Sequence, residues 1–279
     1  AVAEQLDDSE LRSWAWAARA AVAFHEGRYE DALNWAQRRF DLMDAISDPD
    51  HLVEIRECAL PPVGALARLR EARRLAQEHV DLSQNLSPHH RLHGVALLAE
   101  AEELAGDWGE IQTLEDRIKQ AVADNRDTPC VRNARCLLLC ALASVYQGDE
   151  DHARDLEQAA AELRMEGHEL ALDHVRVRLA LARDDLDEVA RLVEPAVSFR
   201  FVFGVPTLVA RLDALAALRD RERLEQEAPP FLRSGTYFEP FALRALGIVR
   251  EDVTLLEQAA AVFDRLGLSW HADQTRALL

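Results

Sequence analysis

His89, His90 and His93 come closest, among the residues of this chain, to a metal-binding pattern. His89 and His93 lie one turn apart and share a helical face, a spacing that can hold zinc when a third ligand joins them. No acidic residue stands at H-E-x-x-H spacing, and the cysteines from Cys130 onward fall in another structural unit, so solvated or helix-cap histidines are expected. His168-Glu169 opens like a zinc-protease helix, but Leu172 stands where the second histidine must be. Cys136 and Cys140 also share a face. They stand among leucines with only Arg132 and Arg135 near enough to lower a thiol pKa, which predicts burial as small hydrophobes. There is no G-x-S-x-G elbow, and the acidic pairs Glu102-Glu103 and Asp184-Asp185 suit solvated helix ends. The only lysine, Lys119, sits in Arg117-Ile118-Lys119-Gln120, which is neither a phosphate loop nor a Schiff-base setting. No catalytic residue, cofactor or metal is expected from these patterns.

The chain that must position these residues has 279 amino acids, 49% of them apolar, which allows a substantial core. With 32 basic and 50 acidic side chains the net charge is −18, which disfavours direct contact with nucleic acid. Every basic residue but Lys119 is arginine, a bias that suggests a GC-rich bacterial genome. Four cysteines without a C-x-x-C pair do not make a disulfide framework and predict a reducing, cytoplasmic setting. The longest apolar run, residues 136–146, is too short to span a membrane, and the N-terminus lacks a signal-peptide pattern. Its start at Ala1 suggests an excised piece of a longer protein.

Apolar residues recur at helical spacing nearly throughout, and β-branched runs are rare. A turn recurs as well: Gly27-Arg28-Tyr29-Glu30-Asp31-Ala32, then Ala67 to Ala72, Gly106 to Ile111 and Gly148 to Ala153, with weaker copies from Asp184, Arg219 and Arg250. Successive starts lie 31 to 42 residues apart, the period of a helical repeat array. A small residue lets one helix end left-handed, and an acidic residue soon after complements the start of the next. Pro49, Pro88, Pro129, Pro206 and Pro240 punctuate the units, with Ser87-Pro88 and Thr128-Pro129 as cap-plus-proline pairs.

Trp16, Ala20, Ala23, Gly27, Tyr29 and Ala32 carry large and small residues at the spacing of the tetratricopeptide (TPR) signature, which this unit resembles. The stretch from Pro240 to Leu279 resembles the last helical repeats of bacterial LuxR/MalT-type activators and adenylyl-cyclase-like ATPase regulators. The resemblance implies an all-α, right-handed α-solenoid of about seven TPR-like hairpins, with residues 1–279 as one domain of a larger regulator. Two departures from the pattern stand out. Pro61-Pro62, with Gly64, predicts a short helix, a break and a second short helix. Phe199 to Gly204 alternates like a strand and is expected to be an extended connector.

In such a superhelix the first helix of each hairpin lines a groove. Fixed steps back from each turn give Trp14, Phe24 and His25, then His93, Glu100 and Glu103, then Arg135, Val145 and Tyr146, then His174, Arg178 and Leu181. Arginines and aromatics there suit a peptide carboxylate or an acidic segment, although the arginines can equally pair with acidic neighbours. Exchange of Arg135 and Arg178 for Glu is expected to weaken such a partner without unfolding the domain. The expected role is non-catalytic interaction or sensing, with a protein segment or an adjoining ATPase or cyclase domain as partner. The alternative is a receptor for a small-molecule inducer. A homodimer through an uncovered terminal hairpin is a further expectation.

Overall fold

The computed structural model describes residues 8–163, 172–193 and 204–279. Among them there are only helices and connections. The α-helices are α1 Ser9–His25, α2 Tyr29–Phe40, α3 Pro49–Ala65, α4 Leu69–Ser83, α5 Pro88–Ala105, α6 Trp108–Thr113, α7 Glu115–Asp124 and α8 Val131–Tyr146. They continue as α9 Glu150–Glu162, α10 Asp173–Ala182, α11 Leu186–Val193, α12 Gly204–Ala217, α13 Arg221–Glu227, α14 Phe238–Arg250, α15 Val253–Leu266 and α16 Ser269–Arg276. No helix among the described residues is long and apolar enough to cross a membrane. Residues 168–172 of the failed zinc-protease pattern and 199–204 of the alternating run fall largely outside the described residues.

The recurring turn has one physical construction. Gly27, Ala67, Gly106, Gly148, Asp184, Arg219 and Glu251 all have positive φ. Six coincide with the expected turn starts, and the seventh lies one residue after Arg250. At the first, Gly27 N–H donates to the Phe24 carbonyl and Arg28 N–H to that of Ala23, a pair of bonds that closes the helix end. The same pair recurs at Ala67, Gly106, Gly148, Asp184 and Arg219. The next residue is Asp107, Asp149, Asp185, Asp220 or Asp252 in five of these turns. Each of these carboxylates accepts the backbone N–H three positions on, so the aspartate caps the following helix. The helices flanking each turn then pack against one another.

The prolines behave in three ways. Asp48-Pro49 and Ser87-Pro88 are cap-plus-proline starts, with the Asp48 and Ser87 side chains accepting backbone N–H groups. Thr128-Pro129 is not: α8 begins at Val131, and the Asn133 carboxamide accepts the Cys130 N–H. Nor is there a break at Pro61-Pro62. Helix α3 runs unbroken through both, because they lie in its last turn, where Leu66 N–H still donates to the Pro62 carbonyl. Every residue from Ala59 to Ala65 is buried, so packing on all sides holds the turn helical.

Distant parts of the chain share one core. Phe24, Tyr29, Ala65 and Leu104 from the first half pack with Val209, Leu215, Tyr237, Phe238 and Phe241 from the second. Tyr237 N–H donates to the Ala65 carbonyl at 2.9 Å, its hydroxyl donates to the Leu104 carbonyl at 2.8 Å, and Arg233 donates to the Gly27 carbonyl. These contacts join the segment before α14 to the ends of α1, α3 and α5.

A chain joined in this way should unfold as one unit, unlike an open array that frays repeat by repeat. Tyr237→Phe is expected to cost about 1 kcal/mol and Tyr237→Ala about 3–5 kcal/mol in urea unfolding. A separate early transition of α14–α16 in the wild-type protein would contradict the joined core.

Candidate functional site

The first helices of successive pairs carry a buried ladder of charges. Glu57 comes from α3, His93, Glu100 and Glu103 from α5, Arg132 and Arg135 from α8, His174 and Arg178 from α10, Asp213 from α12 and Arg244 from α14. Arg132 Nη1 donates to Glu57 Oε1 at 2.6 Å and Nε to Glu100 Oε1 at 3.0 Å. Arg135 pairs with Glu100 Oε1 at 2.9 Å, donates to Glu103, and approaches His174 Nε2 at 3.2 Å. Arg244 Nη2 donates to Asp213 Oδ1 at 2.7 Å. Burial raises the Glu57 carboxyl, but Arg132 and His93 outweigh it and hold the group well below the usual carboxylate range.

Seven of the nine residues predicted to line a groove belong to this interior or its edge. Phe24, Glu100, Arg135, His174 and Arg178 are buried and Tyr146 is half-buried. His93 is half-buried at another end of the ladder, against Glu57. Trp14 and His25 are exposed on α1, away from the ladder. Trp14 stacks on His51 with ring centroids 4.6 Å apart, and shares an outward α1 face with the exposed Leu11, Ala18 and Val22. The expectation for Arg135 is therefore corrected. Its exchange for Glu would bury three carboxylates together and would destabilise the fold, so it does not report on a partner.

At the far end of the ladder the helices leave a cleft of about 560 Å³, lined by Tyr146, Arg178, Asp213, Arg244, Trp270 and His271 among others. Arg178 is 4% exposed, its Nε has no hydrogen-bond partner, and no carboxylate among the described residues lies within ion-pair distance of it. Burial disfavours its cation, yet the fields of Glu103 and Asp213 outweigh this and keep it charged. Tyr146 and Trp270 form an aromatic wall, centroids 4.8 Å apart, backed by Trp108. His271 is buried against Phe241 and Phe263 with both ring nitrogens unbonded, and burial together with Arg244 and Arg178 pushes its pKa well below the ordinary value.

The structure also brings together residues that the sequence reading separated. Cys130 Sγ lies 3.4 Å from His93 Nε2, although the two belong to different units. Cys136 and Cys140 are buried as expected, and burial raises both thiols, Cys140 to about 12.

Neither protein-family models, curated proteins nor solved structures yield a match to this chain.

His271 gives the cleft a pH signature. The folded state keeps the imidazole neutral, whereas the unfolded chain protonates it near pH 6.5, so its contribution is present above that pH and is lost as pH falls below it. His271→Leu is expected to flatten the fall in unfolding free energy between pH 6.5 and 5 by up to about 1.4 kcal/mol per pH unit. Parallel pH profiles for the two proteins would show that the folded state takes up the proton as readily as the unfolded chain.

Proposed function

We propose that this chain is a non-catalytic sensing domain whose cleft at Arg178 receives a small anionic ligand. The observation that carries the reading is a buried arginine that lines a cleft of about 560 Å³ beside an aromatic wall and has no carboxylate among the described residues within ion-pair distance. A carboxylate would supply the missing charge through a bidentate pair, and a ring attached to it would lie along Tyr146 and Trp270. Arg244 is already neutralised by Asp213, which leaves Arg178 as the anchor. The architecture we infer is a right-handed, TPR-like superhelix of about seven hairpins. The recurring left-handed turns support it, and from the resemblance to the helical repeats of LuxR/MalT-type or adenylyl-cyclase-like ATPase regulators we infer a bacterial cytoplasmic signalling or transcriptional regulator as its setting. In that setting the ligand acts as an inducer, read by an adjoining ATPase or cyclase domain.

Benzoate and indole-3-acetate, with benzyl alcohol as the uncharged control, test the anchor by calorimetry and thermal shift. The two carboxylates are expected to bind saturably, and Arg178→Met to weaken them at least ten-fold, the loss of one charge-assisted pair. Equal binding to wild type and variant, or no binding to either, would remove the reading.

A second reading, docking of a protein segment or a second copy, is favoured by Leu11, Trp14, Ala18 and Val22 on one outward face of α1. Leu11→Glu with Val22→Glu is expected to abolish concentration-dependent self-association in light scattering, with stability changed by no more than about 0.5 kcal/mol. A wild-type protein that stays monomeric at all concentrations would dismiss the homodimer.

A further inference from the structure

Helix α5 presents His89 and His93 one turn apart, and the packing of α8 on α5 brings Cys130, the residue before Val131, beside them. One donor atom from each of the three residues lies within 4.8 Å of the other two. The Cys130 Sγ to His93 Nε2 separation of 3.4 Å is close to the spacing of about 3.5 Å that adjacent sulfur and nitrogen ligands have around a tetrahedral zinc ion. The two imidazole rings are 4.4 Å apart between centroids.

The far nitrogens are held as they would be in a metal site. His93 Nδ1 is 3.1 Å from Glu57 Oε2, and Glu57 is itself fixed by Arg132. His89 Nδ1 is 3.3 Å from the Thr128 carbonyl. Each contact leaves Nε2 as the free donor, and a carboxylate behind a ligating histidine raises its basicity and fixes its orientation. All three side chains are half-buried, so an ion can enter and water can fill a fourth position. Cys130 also sits at the N-cap of a sixteen-residue helix; burial raises its thiol, while the backbone N–H groups of Arg132 and Asn133 and the Arg132 charge work the other way, so it is the metal that must draw off the proton.

We propose that His89 Nε2, His93 Nε2 and Cys130 Sγ bind one zinc ion, with water as the fourth ligand and the thiol proton released to solvent. The donor set of two imidazoles and one thiolate suits zinc over magnesium or calcium, which take oxygen ligands. The ion would clip the start of α5 to the start of α8, two successive units of the array. His90 is not part of the site, because its Nε2 meets Asp50 at 2.9 Å.

The test uses the chelator-treated full chain titrated with Zn²⁺ by calorimetry and with Co²⁺ by absorption. One equivalent is expected to bind, with a thiolate-to-cobalt charge-transfer band and the intense visible bands of a tetrahedral ion. Cys130→Ser should abolish the charge-transfer band, and His93→Gln should weaken Zn²⁺ at least ten-fold. Cys58→Ser should change neither, since the Cys58 thiol donates to Glu54 on another face. In the unmutated protein, Zn²⁺ should protect Cys130 from maleimide while leaving the labelling of Cys58 unchanged, a readout independent of whether a variant folds. Absence of stoichiometric binding, retention of the charge-transfer band in Cys130→Ser, or equal labelling of Cys130 with and without zinc would overturn the proposal.

Discussion

The ion pair of Arg135 with Glu103, both 1% exposed between α5 and α8, is the contact that the interior cannot do without. Each charge loses several kcal/mol of hydration on burial, and only well-placed partners restore it. Glu100 supplies that placement by bridging Arg132 and Arg135, and Arg132 carries the network on to Glu57 in α3. Sliding α8 along α5 by one turn would strand at least one charge. Apolar side chains of similar volume would tolerate such a slip, so the ladder sets register where leucine and alanine alone would not.

From that register the remaining features follow. With α3, α5 and α8 fixed, Ala65 and Leu104 present their carbonyls side by side, and Tyr237 bonds both with its backbone and its hydroxyl. Phe238 and Phe241 are then buried in one cluster with Phe24, Tyr29 and Leu104 from the first half of the chain. Beyond it lies the cleft where the ladder ends at Arg178, which no carboxylate among the described residues meets directly. Sensing at that end has a physical route inward, because Arg178 lies in the field of Glu103, the carboxylate that Arg135 neutralises.

The local parts of this structure are legible in the sequence. The small or acidic residues at the turns identify the left-handed positions, since helix ends obey rules confined to a few residues. Asp48-Pro49 and Ser87-Pro88 are read for the same reason. Thr128-Pro129 and Pro61-Pro62 are misread because tertiary packing decides them: Asn133 supplies the cap at one, and burial holds the last helical turn at the other. Most of the groove positions fall on buried helix faces and not on an open surface, and nothing local in the sequence tells that Tyr237 returns to Ala65 and Leu104.

One signal in the sequence does reach between units. His93 and Cys130 are 37 residues apart, Glu57 and His93 36, Glu100 and Arg132 32, Glu103 and Arg135 32, and Asp213 and Arg244 31. These separations are of the order of the 31 to 42 residues between successive turns, but the α5-to-α8 pairs fall short of the 42 from Gly106 to Gly148, so the positions that meet are offset along their helices. Complementary residues on neighbouring pairs are contact candidates, but the offset between Cys130 and His93 follows only from how α8 packs on α5. Chain spacing gives no hint of Tyr237 against Leu104, 133 residues away, because that contact joins helix pairs far apart in the sequence. The ladder and the histidine–cysteine cluster are thus contacts between helix pairs that are neighbours in the chain, whereas the cleft at Arg178 also draws Trp270 and His271 from the last described helix.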